Sequence, residues 1–359
     1  MSVDIVIGAN FGDESKGLTT ARIAKSYNDY DNTIVILNNG GSQRGHSVNF
    51  ENKEHIFKHF GSATPLGVAT CFGPDYILNP MQFVKEQQEI YKTFGFYPKC
   101  YRSYDCMWST PFDMMANQMR QKEKWTGTCG MGIWETIKRY KAIPTMTFTV
   151  FCSSDIDSQK SHLRLIRDWY YTKFEKINVA PEYKDAWFSE GTIDHFIHDC
   201  LIMYKQCIVS NDAFNKAHII IENGQGLLLC DDGTDNSEKT PSETGIKTLR
   251  TLGIKERPVI HFVTRPYITR HGSLICENNK NIAKLTDNSI EINQYNEWQH
   301  DFNYSKLDIK DLKRRLDIEA KKANVNNYIL EVTHCDEIDN EKKFKKNFSN
   351  VNFYDTNKL

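Results

Sequence analysis

Three glycines, two carboxylates and one lysine lie close together near the start of the chain, in the segment I-G-A-N-F-G-D-E-S-K-G at residues 7–17. A Walker A loop reads G-x-x-x-x-G-K-[ST], whereas here Ser15 precedes Lys16 and Gly17 follows it, so the segment is not an ordinary P-loop. Glycines, a lysine and a helix N-terminus can still bind phosphate, and Asp13 is free to act as a base or a magnesium ligand. The segment therefore predicts phosphate chemistry beside a carboxylate.

Two later segments also combine glycines with groups that could do chemistry. The pair Gly40 and Gly41 precedes His46, which can act as an acid or neutralise charge on a ligand that approaches the glycine backbone. Residues 126–132, with the sequence T-G-T-C-G-M-G, alternate glycine with hydroxyl and thiol groups. This pattern suits an anion held by backbone N–H and side-chain O–H groups, and a simple turn explains it equally well.

Strands and helices must position these segments. Residues 3–7 form a β-branched run typical of a buried parallel strand, and residues 16–27 have a helical pattern. Other strand-like runs, separated by amphipathic helices such as 309–323, are found at 33–37, 218–221, 259–263 and 328–332. They predict an α/β fold with a mostly parallel central sheet flanked by helices, whose functional loops lie beyond the carboxyl ends of the strands. We expect residues 1–359 to form a single α/β domain with a mainly helical insertion around 155–215.

The composition of the chain excludes several classes of protein. Its 359 residues are 40% hydrophobic and 25% charged, and the formal net charge is −1. Disordered and membrane proteins are therefore not expected, and no overall positive field attracts nucleic acid. Lys342-Lys343-Phe344-Lys345-Lys346 leaves nucleic-acid binding as a separate hypothesis, although a solvated helix face is the preferred interpretation. We expect a cytoplasmic protein that contacts neither nucleic acid nor membrane.

Five segments, taken in their order along the chain, resemble the motifs of adenylosuccinate synthetases. Four of them contain glycines, namely Gly12–Gly17, Gly45–Ser47, Gly127–Gly130 and Glu222–Gly226. The fifth, Thr333-His334-Cys335-Asp336, lies where that family has its guanine-reading T-K-x-D. The chain is similar to the compact members found in phages and scattered bacteria, which places it in the host cytoplasm if it is viral. The resemblance implies the family's P-loop-NTPase-like fold.

The resemblance implies a ligase that joins L-aspartate to C6 of a purine mononucleotide, driven by a nucleoside triphosphate. In that reaction a carboxylate at Asp13 removes the N1 proton of a 6-oxopurine, and His46 stabilises the γ-phosphate as it passes to O6. The amine of aspartate then displaces the 6-phosphoryl group, with Gln225 beside the purine. The resemblance also implies Mg²⁺, held by Asp13 and the backbone of Gly40.

The other site residues that the resemblance implies fall into three groups. The triphosphate would contact Gly12, Glu14, Ser15, Lys16, Gly17, Gly45, Thr333 and Asp336. The purine mononucleotide would contact Asn38, Thr128, Cys129, Thr240 and Arg139, the last reaching across the interface of a homodimer. The family's arginine-rich loop for the aspartate carboxylates has no counterpart in residues 296–308, where Lys306 is the only lysine or arginine. Arg265 and Arg270 are therefore the predicted carboxylate ligands.

The identity of the substrates stays partly open. Compact viral relatives act on dGMP, and some of them have a smaller residue in place of the base aspartate, so the presence of Asp13 favours IMP over GMP or dGMP. Asp336 favours GTP as the donor, because a carboxylate can accept from guanine N1–H and the 2-amino group. His334 replaces the family's lysine and leaves ATP or dATP open. The alternative function is a nucleotide-binding family member with weak or altered ligase activity or a different amine substrate.

Overall fold

The computed structural model describes residues 1–125, 127–173, 179–210, 212–230, 242–272, 280–286, 295 and 297–356. The strands in this part of the chain are β1 (Ser2–Gly8), β2 (Thr33–Leu37), β3 (His46–Phe50), β4 (Lys53–Phe57), β5 (Ala69–Phe72), β6 (Ile77–Leu78), β7 (Cys100–Arg102), β8 (Met107–Trp108), β9 (Cys207–Val209), β10 (His218–Gly226), β11 (Val259–Thr264), β12 (Tyr267–His271), β13 (Phe302–Lys306), β14 (Ile329–Val332) and β15 (Val351–Phe353). The helices are α1 (Lys16–Tyr27), α2 (Pro80–Phe94), α3 (Pro111–Glu123), α4 (Ile133–Ala142), α5 (Phe148–Ser153), α6 (Ile156–Lys173), α7 (Pro181–Phe188), α8 (Glu190–Gln206), α9 (Lys280–Ala283), α10 (Ile309–Lys321) and α11 (Glu341–Asn347).

Nine of the described strands form one sheet in the order β15-β14-β11-β1-β10-β2-β5-β7-β9. Every neighbouring pair in this sheet is parallel. Its central strands are rich in Ile and Val, and all five residues of β2 are buried, as expected for parallel strands covered on both faces. The predicted α/β fold with a mostly parallel sheet flanked by helices is confirmed.

Helices cover both faces of the sheet. Because side chains alternate along a strand, Val6 of β1 packs into a core shared with α1, α2, α3 and α8. Ile5 and Ile7 of the same strand pack into a second core on the other face. There Leu312 and Leu316, one turn apart on α10, are fully buried. The sheet is therefore held rigidly between two apolar layers, which fixes the positions of its strand ends.

The predicted elements agree closely with the structure. α1 and β2 have the predicted bounds, β10 extends beyond residue 221 to Gly226, and β14 begins at Ile329 rather than at residue 328. Over the described part of 155–215 the chain forms α6, α7, α8 and β9; the division into one domain with an insertion stays a prediction. α11, which carries the lysine cluster, packs Phe344 into the core. In the described residues no helix is both long and apolar enough to cross a bilayer.

Two antiparallel strand pairs, which the sequence analysis did not predict, lie beyond strand ends of the sheet. β3 pairs with β4, and this hairpin follows β2. β12 pairs with β13, follows β11 after two residues and places His271 directly opposite Phe302. Both strand pairs therefore follow the carboxyl ends of sheet strands, where ligands bind in folds of this kind.

Candidate active site

The backbone of the loop that follows β1, residues 9–15, is hydrogen-bonded to two charged side chains, Glu14 and Lys16. Glu14 Oε1 accepts the backbone N–H of Asn10 at 3.1 Å and that of Gly12 at 2.9 Å, and Lys16 Nζ donates to the carbonyl oxygen of Gly12. Both charged side chains are buried. Burial lowers the pKa of Lys16 and raises the pKa of Glu14 because the charged form of each group is desolvated. The loop therefore has a defined shape before any ligand binds.

The start of α1 depends on two small residues. Ser15, the residue before α1, adopts a left-handed conformation with φ of 67°, which costs a residue with a side chain about 1 kcal/mol. Gly17 allows close packing, because a Cβ there would lie 2.8 Å from Ser62 Oγ and 2.9 Å from His46 Cβ. The lysine-bearing first turn of α1 is thereby brought against His46.

His46, the first residue of β3, is held by a carboxylate from a distant strand. Its Nδ1 contacts Oε1 of Glu222 in β10. Glu222 also accepts the backbone N–H of Ser62 at 3.0 Å and lies 3.8 Å from Arg44 Nη1. This arrangement places the proton of a neutral ring on Nδ1. Nε2 is buried and has no hydrogen-bond partner among the described residues, so it is left for a ligand.

The surroundings of His46 and Glu222 set their charges. Burial and the nearby Lys16 lower the pKa of His46 to about 4, although Glu222 acts in the opposite direction. Burial alone would raise the pKa of Glu222, but His46, Arg44 and the hydrogen bond from Ser62 outweigh it and lower that pKa. At neutral pH the pair is therefore a neutral imidazole and an ionised carboxylate.

Asp13 belongs to the β1 loop and contacts strand β12. Its carbonyl oxygen accepts from Thr269 Oγ1 at 3.2 Å, and its Oδ1 lies 3.4 Å from His271 Nδ1. Burial raises the pKa of Asp13, but His271, Lys16 and Arg265 together outweigh burial and lower it. The carboxyl group is therefore ionised at neutral pH and able to accept a proton.

Gln225, near the carboxyl end of β10, has a fixed orientation. Its Nε2 donates to the carbonyl oxygens of Leu229 and Ser242, each at 3.3 Å. Its Oε1 is buried and has no hydrogen-bond partner within the described part of the chain. The side chain therefore keeps one acceptor for a donor group of a ligand.

One cavity brings these groups together. Its wall contains eight of the predicted site residues, namely Gly12, Asp13, Gly45, His46, Thr128, Cys129, Gln225 and Arg270. It also contains residues that the sequence analysis missed, among them Gln43, Arg44, Asn117, His271 and Gln299. The amide groups fix the 127–130 loop: Asn117 Nδ2 donates to Thr128 Oγ1 at 3.0 Å, and Gln299 Nε2 donates to Gly127 O at 2.9 Å. A carboxylate, an imidazole and an amide thus line the same cavity.

Asn38, Gly40 and Arg139 are among the predicted residues that do not line this cavity. Asn38 donates to Thr248 O at 2.7 Å, and the carbonyl oxygen of Gly40 accepts the backbone N–H of Ile77 at 2.8 Å. Both lie just after β2, and the segment that follows this strand first reaches the cavity at Gln43.

Arg139, predicted as a clamp across a dimer, is fully buried within its own chain. Its ion pair with Asp113, at 2.9 Å, outweighs burial and raises the pKa of the guanidinium. Thr240 lies outside the described residues.

Most of the predicted triphosphate residues lie outside the cavity wall. Within this group, only Gly12 and Gly45 line it. Thr333 Oγ1 donates to the carbonyl oxygen of Glu14 at 3.3 Å, which joins the end of β14 to the β1 loop. Asp336 is exposed, and its Oδ1 accepts both the backbone N–H and the hydroxyl of Thr356 at 2.8 Å. Arg265, which lies outside the cavity wall, is buried next to Tyr267, with Nη1 3.4 Å from the phenol oxygen.

Comparisons with known proteins agree with this geometry. The sequence profile described as adenylosuccinate synthetase matches residues 5–296. A curated relative, the adenylosuccinate synthetase of Borrelia turicatae, is 26% identical over 252 residues, which are 64% of this chain and 53% of the relative. The chain thus spans about half the length of that relative.

Two solved structures share the fold. The fully ligated adenylosuccinate synthetase of Plasmodium falciparum has a TM-score of 0.73 at 15% identity, covering 94% of this chain and 78% of that one. The succinoaminodeoxyadenylate synthetase of cyanophage S-2L, solved with dGMP and with dATP as energy donor, has a TM-score of 0.63 at 10% identity. It covers 99% of this chain and 91% of that one. The profile match over most of the sequence and the shared fold establish that the chain belongs to the adenylosuccinate synthetase family.

Proposed function

We propose that the protein is a ligase that joins L-aspartate to C6 of a purine mononucleotide at the expense of a nucleoside triphosphate. The observation that carries the proposal is the meeting of Asp13 and His46 in one cavity, in a chain of this family. Asp13 is ionised, and Nε2 of His46 has no partner among the described residues. One group can therefore accept a proton and the other can contact a phosphoryl group.

The proposed reaction has two steps. In the first, Asp13 accepts the N1 proton of a 6-oxopurine, and O6 attacks the γ-phosphorus of the triphosphate, which releases the diphosphate. Nε2 of His46 stabilises the transferring phosphoryl group. In the second step the amine of aspartate forms a bond to C6 and loses a proton to solvent, while the C6–O6 bond breaks and O6 leaves with the phosphoryl group as inorganic phosphate. Gln225 presents Oε1 to the purine.

Mg²⁺ is the proposed cofactor, and the residues present fit it in part. The carboxylate of Asp13 is an oxygen ligand of the kind that Mg²⁺ prefers, and it lies in the cavity. Gly40 is a poorer candidate than the sequence suggested because its carbonyl accepts from Ile77. Gly45, which lines the cavity, is the glycine that the geometry supports. When bound, the ion would neutralise charge on the phosphates.

The proposed substrates follow from single side chains. Asp13 supports IMP, with GMP or dGMP as the alternatives. Asp336 supports GTP as donor, with ATP or dATP as the alternatives. Arg270, in the cavity wall, is the proposed ligand of an aspartate carboxylate.

The proposal also includes assembly and location: the protein acts as a homodimer in the cytoplasm, or in the host cytoplasm if it is viral. Its substrates are free nucleotides and an amino acid, which supports this location. Exposed apolar side chains support an interface: Leu165, Tyr171 and Phe188, on α6 and α7, are 51%, 53% and 48% exposed. Light scattering of the purified chain tests the assembly.

The test of the function is a product assay. Purified protein is incubated with Mg²⁺, GTP or ATP, and one of IMP, GMP or dGMP, with and without L-aspartate. We expect phosphate release that depends on aspartate, and a product with the mass of the mononucleotide plus aspartate minus water. Phosphate release without such a product would support the alternative of altered ligase activity. No mass change and no phosphate release with any combination would overturn the proposal.

A further inference from the structure

His271 lies beside Asp13 in the cavity wall, and the proposed reaction assigns it no role. It is the last residue of β12, it is only 9% exposed, and its Nδ1 lies 3.4 Å from Asp13 Oδ1. Next to a carboxylate, Nδ1 carries a proton and donates it towards that oxygen. Separations of this size are common in sites without ligand and shorten when substrate binds.

The imidazole ring of His271 is itself held in place. It packs on the ring of Phe302, its partner in the β12–β13 register, with ring centroids 4.0 Å apart. The chain turns directly after it at Gly272, whose φ is 77° and whose carbonyl oxygen accepts from Asn303 Nδ2 at 2.7 Å. The ring therefore has little freedom to leave Asp13.

Strand β12 also holds the backbone of the proposed base, Asp13. Thr269, two residues before His271 on the same face of β12, donates its hydroxyl to the carbonyl oxygen of Asp13 at 3.2 Å. β12 thus contacts Asp13 twice, once at the main chain and once at the side chain. Two contacts from one strand fix both the position of the residue and the rotation of its carboxylate.

We propose that His271 is a positioning residue for Asp13: it holds Oδ1 so that Oδ2 is the oxygen that meets the substrate proton. This inference rests on the proposed function, because it concerns the residue assigned as base. A shift of Asp13 would misalign its carboxylate with the substrate proton without removing the negative charge. Misalignment of a reacting group by about 1 Å costs on the order of 10²-fold in rate.

Two substitutions separate positioning from packing. His271→Leu fills much of the ring's volume but removes the N–H group. His271→Asn leaves a larger void against Phe302 but keeps an amide N–H close to the position of Nδ1. A packing role predicts that the Asn variant is the worse of the two, whereas a positioning role predicts that it is the better.

The experiment measures kcat, the KM for the mononucleotide, and the thermal midpoint of wild type and both variants. We expect His271→Leu to lower kcat about 10- to 100-fold with KM within about 3-fold, and His271→Asn to recover most of the loss. His218→Leu is the matched control, because His218 stacks on Tyr27 at the amino end of β10, with centroids 4.0 Å apart, and lies outside the cavity wall. The control should keep the wild-type kcat.

The outcomes distinguish this inference from the proposed function. An active wild type with an unchanged kcat in His271→Leu overturns the positioning role alone. A kcat lower in His271→Asn than in His271→Leu also overturns it, in favour of packing. A wild type without ligase turnover overturns the proposed function, and the positioning role with it.

Discussion

Raising the pH should remove a buried positive charge that joins three strands of the sheet. His261 of β11 lies between Asp4 of β1 and Glu331 of β14, with Nε2 3.0 Å from Asp4 Oδ1 and Nδ1 2.8 Å from Glu331 Oε1. All three side chains are buried. A ring that donates from both nitrogens is an imidazolium. Burial opposes this charge, but the two hydrogen bonds and the two carboxylates outweigh it and raise the pKa of His261 to about 9.

The size of the effect follows from that pKa. The group is raised above its unfolded value of 6.5, so its contribution to stability is fully present below pH 6.5 and is lost as the pH rises through about 9. Each pH unit between the two values corresponds to about 1.4 kcal/mol, so the total is about 3 kcal/mol. Tyr27, whose hydroxyl contacts Asp4, does not interfere because its own pKa is raised to about 12, chiefly by burial.

The assay compares the free energy of unfolding in urea for wild type and His261→Gln, at pH 6.5 and at about pH 10. At pH 6.5 the variant should be less stable by about 3 kcal/mol or more, because it leaves two buried carboxylates without a cation. Near pH 10 the difference should largely disappear, since the wild-type ring is then neutral. His218→Gln, on β10, should keep the full pH dependence of the wild type. A difference between wild type and His261→Gln that stays constant over this range would refute the charged bridge.

Three further predictions concern the cavity and the donor site. Asp13→Ala should lower kcat by on the order of 10²-fold or more at an unchanged thermal midpoint, because the loop lies outside the core; activity within a few-fold of wild type would contradict its role as base. His46→Asn should lower kcat while binding of the triphosphate in titration calorimetry is preserved, and a change confined to KM would reduce His46 to a binding residue. Asp336→Asn should reduce a roughly tenfold preference for GTP over ATP in kcat/KM; an unaltered ratio would mean that the base is read elsewhere.

Long periodic elements could be predicted from the sequence, and short irregular ones could not. α1 and β2 agree with their predicted bounds because a full apolar face marks each of them. β13 lies within residues 296–308, which were considered only for the arginines they lack. Five residues with two buried aromatic rings, Phe302 and Tyr304, give too weak a pattern to mark a strand. Its pairing with β12 is decided by tertiary contacts that local sequence does not encode.

The site residues likewise could be predicted only where a local sequence pattern marks them. Glycine motifs marked Asp13, His46 and Gln225, because backbone that approaches a ligand needs glycine locally. The residues that orient these groups are marked by weaker sequence patterns. Glu222 ends an apolar run, and a carboxylate in a buried strand is unusual enough to suggest a partner. His271 gave no such signal, since its contact with Asp13 joins residues 258 positions apart.

The pKa values of Asp13 and His46, the two groups proposed to react, are both lowered, which leaves the carboxylate charged and the imidazole neutral. Burial raises the pKa of Asp13, but His271 and Lys16 outweigh it and keep the carboxyl group ionised. Burial and Lys16 lower the pKa of His46 and keep the imidazole neutral. Phosphate oxygens beside His46 would oppose Lys16 and favour the imidazolium. In the proposed reaction, Asp13 is therefore ionised at neutral pH from the start, whereas His46 becomes charged only beside the bound triphosphate. An ionised carboxylate beside a neutral imidazole thus results from burial, His271 and Lys16 acting together.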